Sequence, residues 1–503
     1  MADFEESVST LEGTLATAAD RKAPQSSGVR KVLLGATAIA TGIASLGYLV
    51  GGRSTPAYDP SGELLVKFES PLTPSAQADG NVVTGLAGVD ALNRSIAGES
   101  YERLAPVSGE YELDNWFIVD VPQGADVQRL IEQYRSQAGV EWAEANLMVE
   151  LLPYEVVDAN IQPGDTDKPA KGAPNDPFYQ SSNSWGHGAE DLWGLRRSNI
   201  EGAWNVTRGS DDIIIAVVDT GVDWKHEDID SRVIHNSGEI LDGRDNDRDG
   251  YIDNIVGYDF INKDGDAYDD QGHGSHVAGT IAAETNNGVG IAGITWEGRI
   301  LPVKVLDASG RGTWATVAQG IVYAAKHDAD VLNMSLGGPA GAGQKIVDEA
   351  ISYAVSQGTI IVVAAGNSNS DTRGFSPANN PNVIAVGAMT PDGKRASFSN
   401  WGEKNDVGAP GTHILSILAA QHKFGNRAPI VGEHYVVLQG TSMASPHVTG
   451  EVALVLAANP ELGGDVEAVR AVLREGVDRV ETDKYIGTGR INFGAAVELA
   501  TER

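Results

Sequence analysis

Two uninterrupted apolar runs constrain the fold of this chain more than any other feature. Ile213–Val218 leads into Asp219, and Ile360–Ala365 leads into Gly366 and Asn367. Runs that are apolar at every position, rather than at alternate ones, are typical of fully buried strands in a parallel sheet. In open α/β sheets, functional residues collect where such strands end. We therefore predict an α/β fold with Asp219 at the active edge of its sheet; Asn367, taken alone, also fits an ordinary turn after a strand.

A serine stands in a run of small residues, Gly440–His447, just before the long apolar stretch Val448–Ala458. The glycine admits a tight turn, so Ser442 is expected at the opening of the helix that follows. The first backbone N–H groups of a helix have no partner within it and point toward negative charge. The position suits a nucleophile whose attack creates an oxyanion, although alone it also fits an ordinary serine helix cap.

A histidine in the segment Gly272–Thr280 supplies the residue type that such a serine needs. His273 is flanked by glycines and followed by small residues that let a helix pack closely on a sheet. A serine becomes nucleophilic beside a base, and the base needs an acid that fixes its tautomer and stabilises its cation. Asp219, His273 and Ser442 provide all three types, each at the edge of a predicted element.

The order of this acid, histidine and serine, with the residues around each, resembles the subtilisin-like serine proteases (subtilases). The resemblance extends from Asp176 to the end of the chain. It implies a parallel sheet with helices on both faces, and hydrolysis of protein or peptide substrates through an acyl-enzyme. It also implies that Asp219 orients His273, which takes the proton from the nucleophile Ser442. Asn367 would then donate its side-chain amide to the oxyanion, beside the Ser442 N–H.

The same resemblance implies a peptide-binding cleft. One wall would be an edge strand that pairs with an extended substrate, and the facing wall would follow the second apolar run. Small walls favour a large apolar or aromatic residue before the cleaved bond. The residues implied are Ser335, Leu336, Gly337 and Gly338 in the first wall, and Ala364, Ala365 and Gly366 in the second. There are two alternatives to an active protease: a catalytically inactive relative that serves as a binding module, and a hydrolase of esters.

The composition of the chain limits the classes of molecule that it can bind. The 503-residue chain has a formal net charge of −32 and no cysteine. Such a charge repels phosphates, which argues against nucleic-acid binding, and the lack of cysteine excludes disulfides and thiol chemistry. The chain therefore resembles an acidic exported enzyme that draws stability from bound metal, and we expect it to be monomeric when mature.

Three regions precede the subtilase-like part, which spans residues 175–503. Residues 1–55 contain a weakly apolar, uncharged segment at 32–50. It is interpreted as either an uncleaved membrane anchor or a cleaved export signal, and a buried soluble helix is the third alternative. Either export reading predicts an extracellular or cell-envelope protein. Residues 153–174 are rich in Pro, Gly, Asp and Lys and predict an exposed, cleavable linker.

Between them, residues 61–152 predict a small α+β domain. Strands are expected at 63–68, 116–121 and 140–152, and helices at 85–97 and 125–138, in a βαββαβ order that suggests a ferredoxin-like sandwich. The closing segment Val140–Asn146 is similar to the end of subtilase propeptides. This resemblance implies a folding chaperone and inhibitor of the chain's own active site. An accessory binding domain is the alternative.

Two metal sites are predicted, both for Ca²⁺. An acidic insertion carries carboxylates at alternate positions before a glycine, a pattern that can wrap a hard cation, although a merely solvated loop fits too. Its predicted ligands are Asp245, Asp247, Asp249 and Asp253. The second site follows from the subtilase resemblance, with Asp176, Asp228, Asn287, Val289 and Ile291 as ligands. Residues 288–293 also spell G-x-G-x-x-G, but an apolar strand rather than a helix follows, so we reject dinucleotide binding.

Overall fold

The computed structural model describes residues 62–76, 82–96, 100–105, 112–122, 124–152, 173–186, 188–425 and 429–503. Within those ranges, no helix is both long and apolar enough to cross a membrane. The predicted segment 32–50 and most of the linker 153–174 lie outside them.

The region before the linker forms a small α+β sandwich. Its strands are β1 Glu63–Phe68, β2 Ser75–Ala76, β3 Val82–Val83, β4 Tyr101–Arg103, β5 Trp116–Asp120, β6 Val140–Ala145 and β7 Met148–Leu151, and its helices are α1 Ala87–Ile96 and α2 Val127–Arg135. Four strands form one antiparallel sheet in the order β4-β5-β1-β6. This is the predicted ferredoxin-like arrangement, and α1 and α2 cover one face of the sheet around their own apolar cluster.

Two details of this sandwich differ from the prediction. Strand β4 is only three residues long, and its sequence lacks the apolar alternation that marks a strand, so pairing with β5 alone defines it. The predicted strand 140–152 is two strands. Its first part, β6, belongs to the sandwich, whereas β7 pairs with β11 and β13 of the larger region.

The larger region contains most of the regular structure. Its strands are β8 Ile214–Asp219, β9 Tyr258–Asp259, β10 Arg299–Lys304, β11 Arg311–Thr313, β12 Val331–Met334, β13 Leu336–Pro339, β14 Ile360–Ala364, β15 Phe375–Ser376, β16 Val383–Met389, β17 Asn405–Pro410, β18 Ile414–Ile417, β19 Ile430–Val431, β20 Tyr435–Leu438, β21 Val477–Asp478 and β22 Arg490–Ile491. Its helices are α3 Pro177–Gln180, α4 Trp193–Arg196, α5 Ile200–Trp204, α6 His273–Ala282, α7 Trp314–Lys326, α8 Gln344–Ser356, α9 Thr441–Ala458, α10 Val466–Glu475 and α11 Phe493–Thr501. Short 3₁₀ helices in the described ranges lie at Glu112–Asn115, Asp230–Arg232, Thr372–Gly374 and Pro460–Leu462.

A nine-stranded sheet organises this region, in the order β21-β22-β17-β16-β14-β12-β8-β10-β9. All neighbours run parallel except β21 and β22 at one edge. Side chains of one strand alternate between two apolar cores: Ile215 and Val217 face the core that contains α6 and α9, and Ala216 and Val218 face the core that contains α7 and α8. The predicted α/β fold, with a parallel sheet and helices on both faces, is confirmed.

Candidate active site

Asp219 is the last residue of β8, and His273 is the first residue of α6. His273 Nδ1 lies 2.8 Å from Asp219 Oδ1, and both side chains are fully buried. The same carboxylate oxygen accepts a hydrogen bond from the Thr220 backbone N–H at 2.8 Å. An imidazole held in this way through Nδ1 has one defined tautomer and presents Nε2 for proton transfer.

A buried carboxylate that the sequence analysis did not single out supports this pair. Asp269 accepts from the hydroxyls of Thr220, at 2.9 Å, and Ser275, at 2.6 Å, and from three backbone N–H groups of the turn into α6. Burial raises the pKa of Asp269. The Thr220 hydroxyl in turn accepts from the Gly274 N–H, so Asp269 ties the end of β8 to the start of α6.

Ser442 occupies the first turn of α9, as its sequence predicts. Its side chain is fully buried, and its Oγ donates to the carbonyl oxygen of Ser335 at 3.0 Å. The Ser335 hydroxyl donates in return to the carbonyl oxygen of Ser442 at 2.8 Å. The predicted nucleophile and the start of the predicted substrate strand are thus joined by two hydrogen bonds.

Asn367 lies beside the same helix start. Its Oδ1 accepts from both the backbone N–H and the hydroxyl of Thr441, each at 2.8 Å. Two donors on one side of the amide fix its orientation, because a flipped amide would set N–H groups against them. The NH₂ group therefore points away from Thr441. This contact of Thr441 was not predicted, although the residue stands directly before Ser442.

The predicted cleft walls lie near these groups. Leu336 and Gly337 pair with Leu151 and Glu150 of β7 in antiparallel register, while Gly338 pairs with β15 instead. On the other wall, Ala364 ends β14, followed by Ala365 and by Gly366, which adopts a φ of +104°. A second strand, β11, pairs with the opposite edge of β7, so β7 lies between two strands of the larger region. Strand β11 was not predicted from the sequence.

Two further histidines near these residues, His276 and His447, are buried in the core. His276 Nε2 lies 3.0 Å from the carbonyl oxygen of Ile414, and burial lowers its pKa to about 3. His447 Nδ1 lies 2.8 Å from the carbonyl oxygen of Met443, and burial lowers its pKa to about 4. Both rings are therefore neutral at neutral pH.

The acidic insertion forms a cluster whose membership differs from the prediction. Ligand atoms of Glu239, Asp245 and Asp247 lie within 4.8 Å of one another. Asp249 instead lies 2.8 Å from His327 Nε2, and Asp253 accepts from the backbone N–H groups of residues 242 and 243. Glu239 was not predicted as a ligand because it precedes the alternating run. Its buried carboxylate nevertheless accepts hydrogen bonds from backbone N–H groups of that loop.

The residues predicted for the second metal site lie close together. Asp176 accepts from the backbone N–H of residue 286 at 2.8 Å, and Asp228 accepts from the Asn287 side-chain amide at 2.9 Å and the Ile291 N–H at 3.0 Å. Val289 N–H donates to Asn287 Oδ1 at 2.7 Å within the same loop. Both carboxyls are fully buried. Burial raises the pKa of Asp228 to about 7 and also raises that of Asp176.

The larger region of this chain is similar to known proteins. The profile of the subtilase family (Peptidase_S8) matches residues 210–489. A thermophilic serine proteinase of Bacillus sp. (strain AK1) is 39 % identical over 329 residues, which cover 65 % of this chain and 70 % of that protein. An extracellular protease of Xanthomonas campestris is 38 % identical over 353 residues, covering 65 % of this chain and 57 % of the relative.

A solved structure of proteases from Pseudoalteromonas arctica aligns with a TM-score of 0.53 and 31 % identity, covering 65 % of this chain and all (100 %) of that one. The family profile spans more than half of the chain, and the Bacillus relative matches over most of its own length. The chain therefore belongs to the subtilase family and is a subtilisin-like serine endopeptidase.

Proposed function

We propose that Ser442, His273 and Asp219 carry out peptide-bond hydrolysis in this endopeptidase. Ser442 Oγ attacks the carbonyl carbon of the substrate while His273 Nε2 takes its proton, and Asp219 stabilises the resulting imidazolium. The Ser442 N–H and the Asn367 amide donate to the oxyanion. His273 then protonates the leaving amine, and water hydrolyses the Ser442 ester by the reverse roles. The buried 2.8 Å contact between His273 and Asp219 carries this assignment.

We also infer that residues 61–152 are an inhibitory propeptide and folding aid. Strand β7 pairs with β13 of the first predicted cleft wall on one edge and with β11 on the other, in the manner of a bound peptide, which supports this role over an accessory binding domain. Two polar side chains of the sandwich cap helices of the larger region. Glu144 accepts from the Gly343 N–H at α8, at 3.1 Å, and Asn146 accepts from the Ala315 N–H at α7, also at 3.1 Å. These helix starts would otherwise hold unsatisfied donors.

A buried ion pair adds to that interface. Lys67 of β1 is almost fully buried and lies 3.2 Å from Glu349 of α8. Glu349 also accepts from Trp116 Nε1 at 2.6 Å. Burying charge is costly unless it is paired, so these contacts favour one docking geometry of the sandwich.

Cleavage in the linker 153–174 would separate propeptide from enzyme. Continuing the β7 register by one residue brings Leu152 opposite Ser335. The next residue in the sequence is Pro153, whose ring substitutes the leaving nitrogen and fixes φ. We therefore assign self-processing to a later bond of the linker, with Val149–Leu152 left as the inhibitory tail.

We propose that Ca²⁺ stabilises the enzyme at two sites. Glu239, Asp245 and Asp247 would supply carboxylate oxygens in the insertion, and Asp176 and Asp228 would do so in the second site, with oxygens of the loop that contains Asn287, Val289 and Ile291. The donor set fits a hard cation, because oxygen ligands are what Ca²⁺ prefers. The buried Asp228 carboxyl, whose contacts are an amide, an N–H and a hydroxyl, fits a site where bound cation restores the ionised form.

We also propose that the protein is exported and that the mature enzyme is a monomer. The uncharged segment 32–50 would direct the chain out of the cytoplasm, as a cleaved signal or as an anchor. The name of the Xanthomonas campestris relative, an extracellular protease, supports export. Proteins and peptides would be the substrates.

The test compares wild type with Ser442→Ala. A fluorophosphonate probe should label wild type at Ser442, and the variant should neither hydrolyse peptides nor process itself. Normal maturation of Ser442→Ala in a protease-free preparation would overturn the assignment. A wild type that cleaves esters while sparing peptides would favour the esterase alternative.

A further inference from the structure

Glu150 in the tail faces a cation of the larger region. In the antiparallel pairing of β7 with β11, Glu150 lies directly opposite Arg311. Arg311 Nε is 3.1 Å from Glu150 Oε1. Residues directly opposite in an antiparallel pair interact through their side chains, and opposite charges at such positions stabilise the pairing.

The register relates this pair to the reacting bond. Leu151 donates its N–H to the carbonyl oxygen of Gly310 at 2.8 Å and pairs with Leu336 on the other side. Leu152 then falls opposite Ser335, whose carbonyl oxygen accepts the Ser442 hydroxyl. A peptide bound in this register has its reacting carbonyl at the position of Leu152, so Glu150 marks the third residue before the cleaved bond.

The tail contains both buried and exposed residues. Val149 is 1 % exposed and belongs to the same apolar cluster as Trp314 and Leu336. Leu152 is also buried. The side chains of Glu150 and Arg311, by contrast, are 62 % and 55 % exposed. A pocket cannot select the third residue by shape, so its charge relative to Arg311 is what distinguishes substrates there.

We propose that Arg311 gives this protease a preference for an acidic residue at the third position before the cleaved bond. The proposal rests on the proposed function, in which β7 occupies the cleft as a substrate would. The chain has 69 acidic and 37 basic residues, so its overall field repels acidic peptides. The Arg311 cation at the cleft would attract them locally, against that field. An exposed, directly opposed pair predicts a preference of about twofold to fivefold, larger at low salt.

The experiment uses three fluorogenic peptides of sequence Val-Glu-Leu-Leu, Val-Gln-Leu-Leu and Val-Lys-Leu-Leu, each linked to the fluorophore through its last carbonyl. The mature wild type should show kcat/KM in the order Glu, Gln, Lys at low ionic strength. Arg311→Gln should flatten the order, and Arg311→Glu should reverse it. Lys394→Gln removes an exposed cation from another loop and should keep the wild-type order, which separates a local effect from one of net charge.

Equal kcat/KM for the Glu and Lys peptides in wild type would overturn the proposal, as would an unchanged preference in Arg311→Gln. Cleavage of none of the three peptides would instead overturn the proposed peptidase site and the preference with it. The two failures are distinguishable, because the first leaves robust hydrolysis of all three peptides.

Discussion

Ser442 and Ser335 are joined by a reciprocal pair of hydrogen bonds, each hydroxyl donating to the other residue's carbonyl oxygen, at 3.0 and 2.8 Å. Ser335 also accepts from the Asn333 side-chain amide at 3.0 Å, and Asn333 in turn accepts from the hydroxyls of Ser445 and Thr449, at 2.8 Å each. All of these groups are buried. The start of α9 is therefore connected to the strand that is predicted to bind peptide through a continuous polar network.

Replacing Ser335 by alanine should slow the enzyme without disabling it. The variant loses one of the two links to Ser442 and leaves the Asn333 amide without its acceptor, a loss of about 1 kcal/mol or somewhat more in alignment of the nucleophile. We expect fluorophosphonate labelling of Ser442 to slow by roughly threefold to tenfold. Thr449→Ala is the milder control, since Ser445 still donates to Asn333. Labelling at the wild-type rate in Ser335→Ala would show that the network does not position Ser442.

Asn367→Leu should lower kcat by about 10²–10³ and leave KM nearly unchanged, because the amide acts on charge that develops only in the transition state. The geometry adds a second expectation. Thr441→Val removes the hydroxyl that holds Asn367 Oδ1 and keeps the backbone N–H, so its kcat should fall by a smaller factor. Steady-state measurement of kcat and KM on one peptide substrate compares the two variants with wild type. A large rise in KM with kcat maintained would make Asn367 a substrate-binding residue instead.

Calcium removal should lower thermal stability. A cation bound only by the native state stabilises it by about 2.7 kcal/mol at a hundredfold excess over Kd. Melting curves in EDTA and in millimolar calcium should differ, and Glu239→Gln with Asp247→Asn should shrink the difference. Asp242→Asn removes one negative charge at an exposed position of this loop outside the cluster, and should leave the difference intact. Coincident wild-type curves would leave the insertion a solvated acidic loop.

The carboxyl of Glu451 should lower the free energy of unfolding as the pH rises. Its carboxyl lies in α9, fully buried, and burial raises its pKa well above the ordinary 4.5. The folded state keeps the proton after the unfolded state has lost it. The free energy of unfolding therefore falls from about pH 4.5 upward, by up to about 1.4 kcal/mol per pH unit until the folded pKa is reached.

Glu451→Gln removes this titration. In the Ser442→Ala background, which prevents self-digestion, the melting temperature of Glu451→Gln should exceed that of the parent by an amount that grows from pH 5 to pH 8. The control Glu461→Gln, at an exposed position just beyond the same helix, should follow the parent. A gap between Glu451→Gln and parent that does not change with pH would contradict the burial argument.

The parts of the site that sequence predicted are those with a strong local signal. The apolar run before Asp219 defines β8, and small residues around Ser442 mark the start of α9. Glu239 and β11 carry no such signal. Glu239 joins Asp245 and Asp247 only because the loop folds back on itself, and β11 is three residues whose strand character comes from pairing with β7. Contacts between segments far apart in the chain define β11, and the path of an irregular loop brings Glu239 to the other two acids; a local pattern of residue types predicts neither.

Release of residues 61–152 should be the step that activates the enzyme. Residues 61–152 have an apolar core of their own around α1 and α2, so the separated fragment should fold and inhibit mature enzyme when added back. If 32–50 anchors the precursor, one cut in 153–174 also frees the enzyme from the membrane. Fractionation should then leave Ser442→Ala at full length in the pellet, with wild-type activity in the supernatant.

The helix cap from Glu144 to α8 provides the sharper test of this inhibition. Glu144→Ala in the added fragment removes the acceptor of the Gly343 N–H, and loss of such a cap costs about 1–2 kcal/mol, so the inhibition constant should rise roughly fivefold to thirtyfold. Glu132→Gln changes an exposed acid on α2 and should inhibit as the wild-type fragment does. Because the cap is made only when the sandwich is docked, equal inhibition by Glu144→Ala and wild-type fragments would contradict this interface. Active enzyme that keeps residues 61–152 covalently attached would contradict the propeptide role itself.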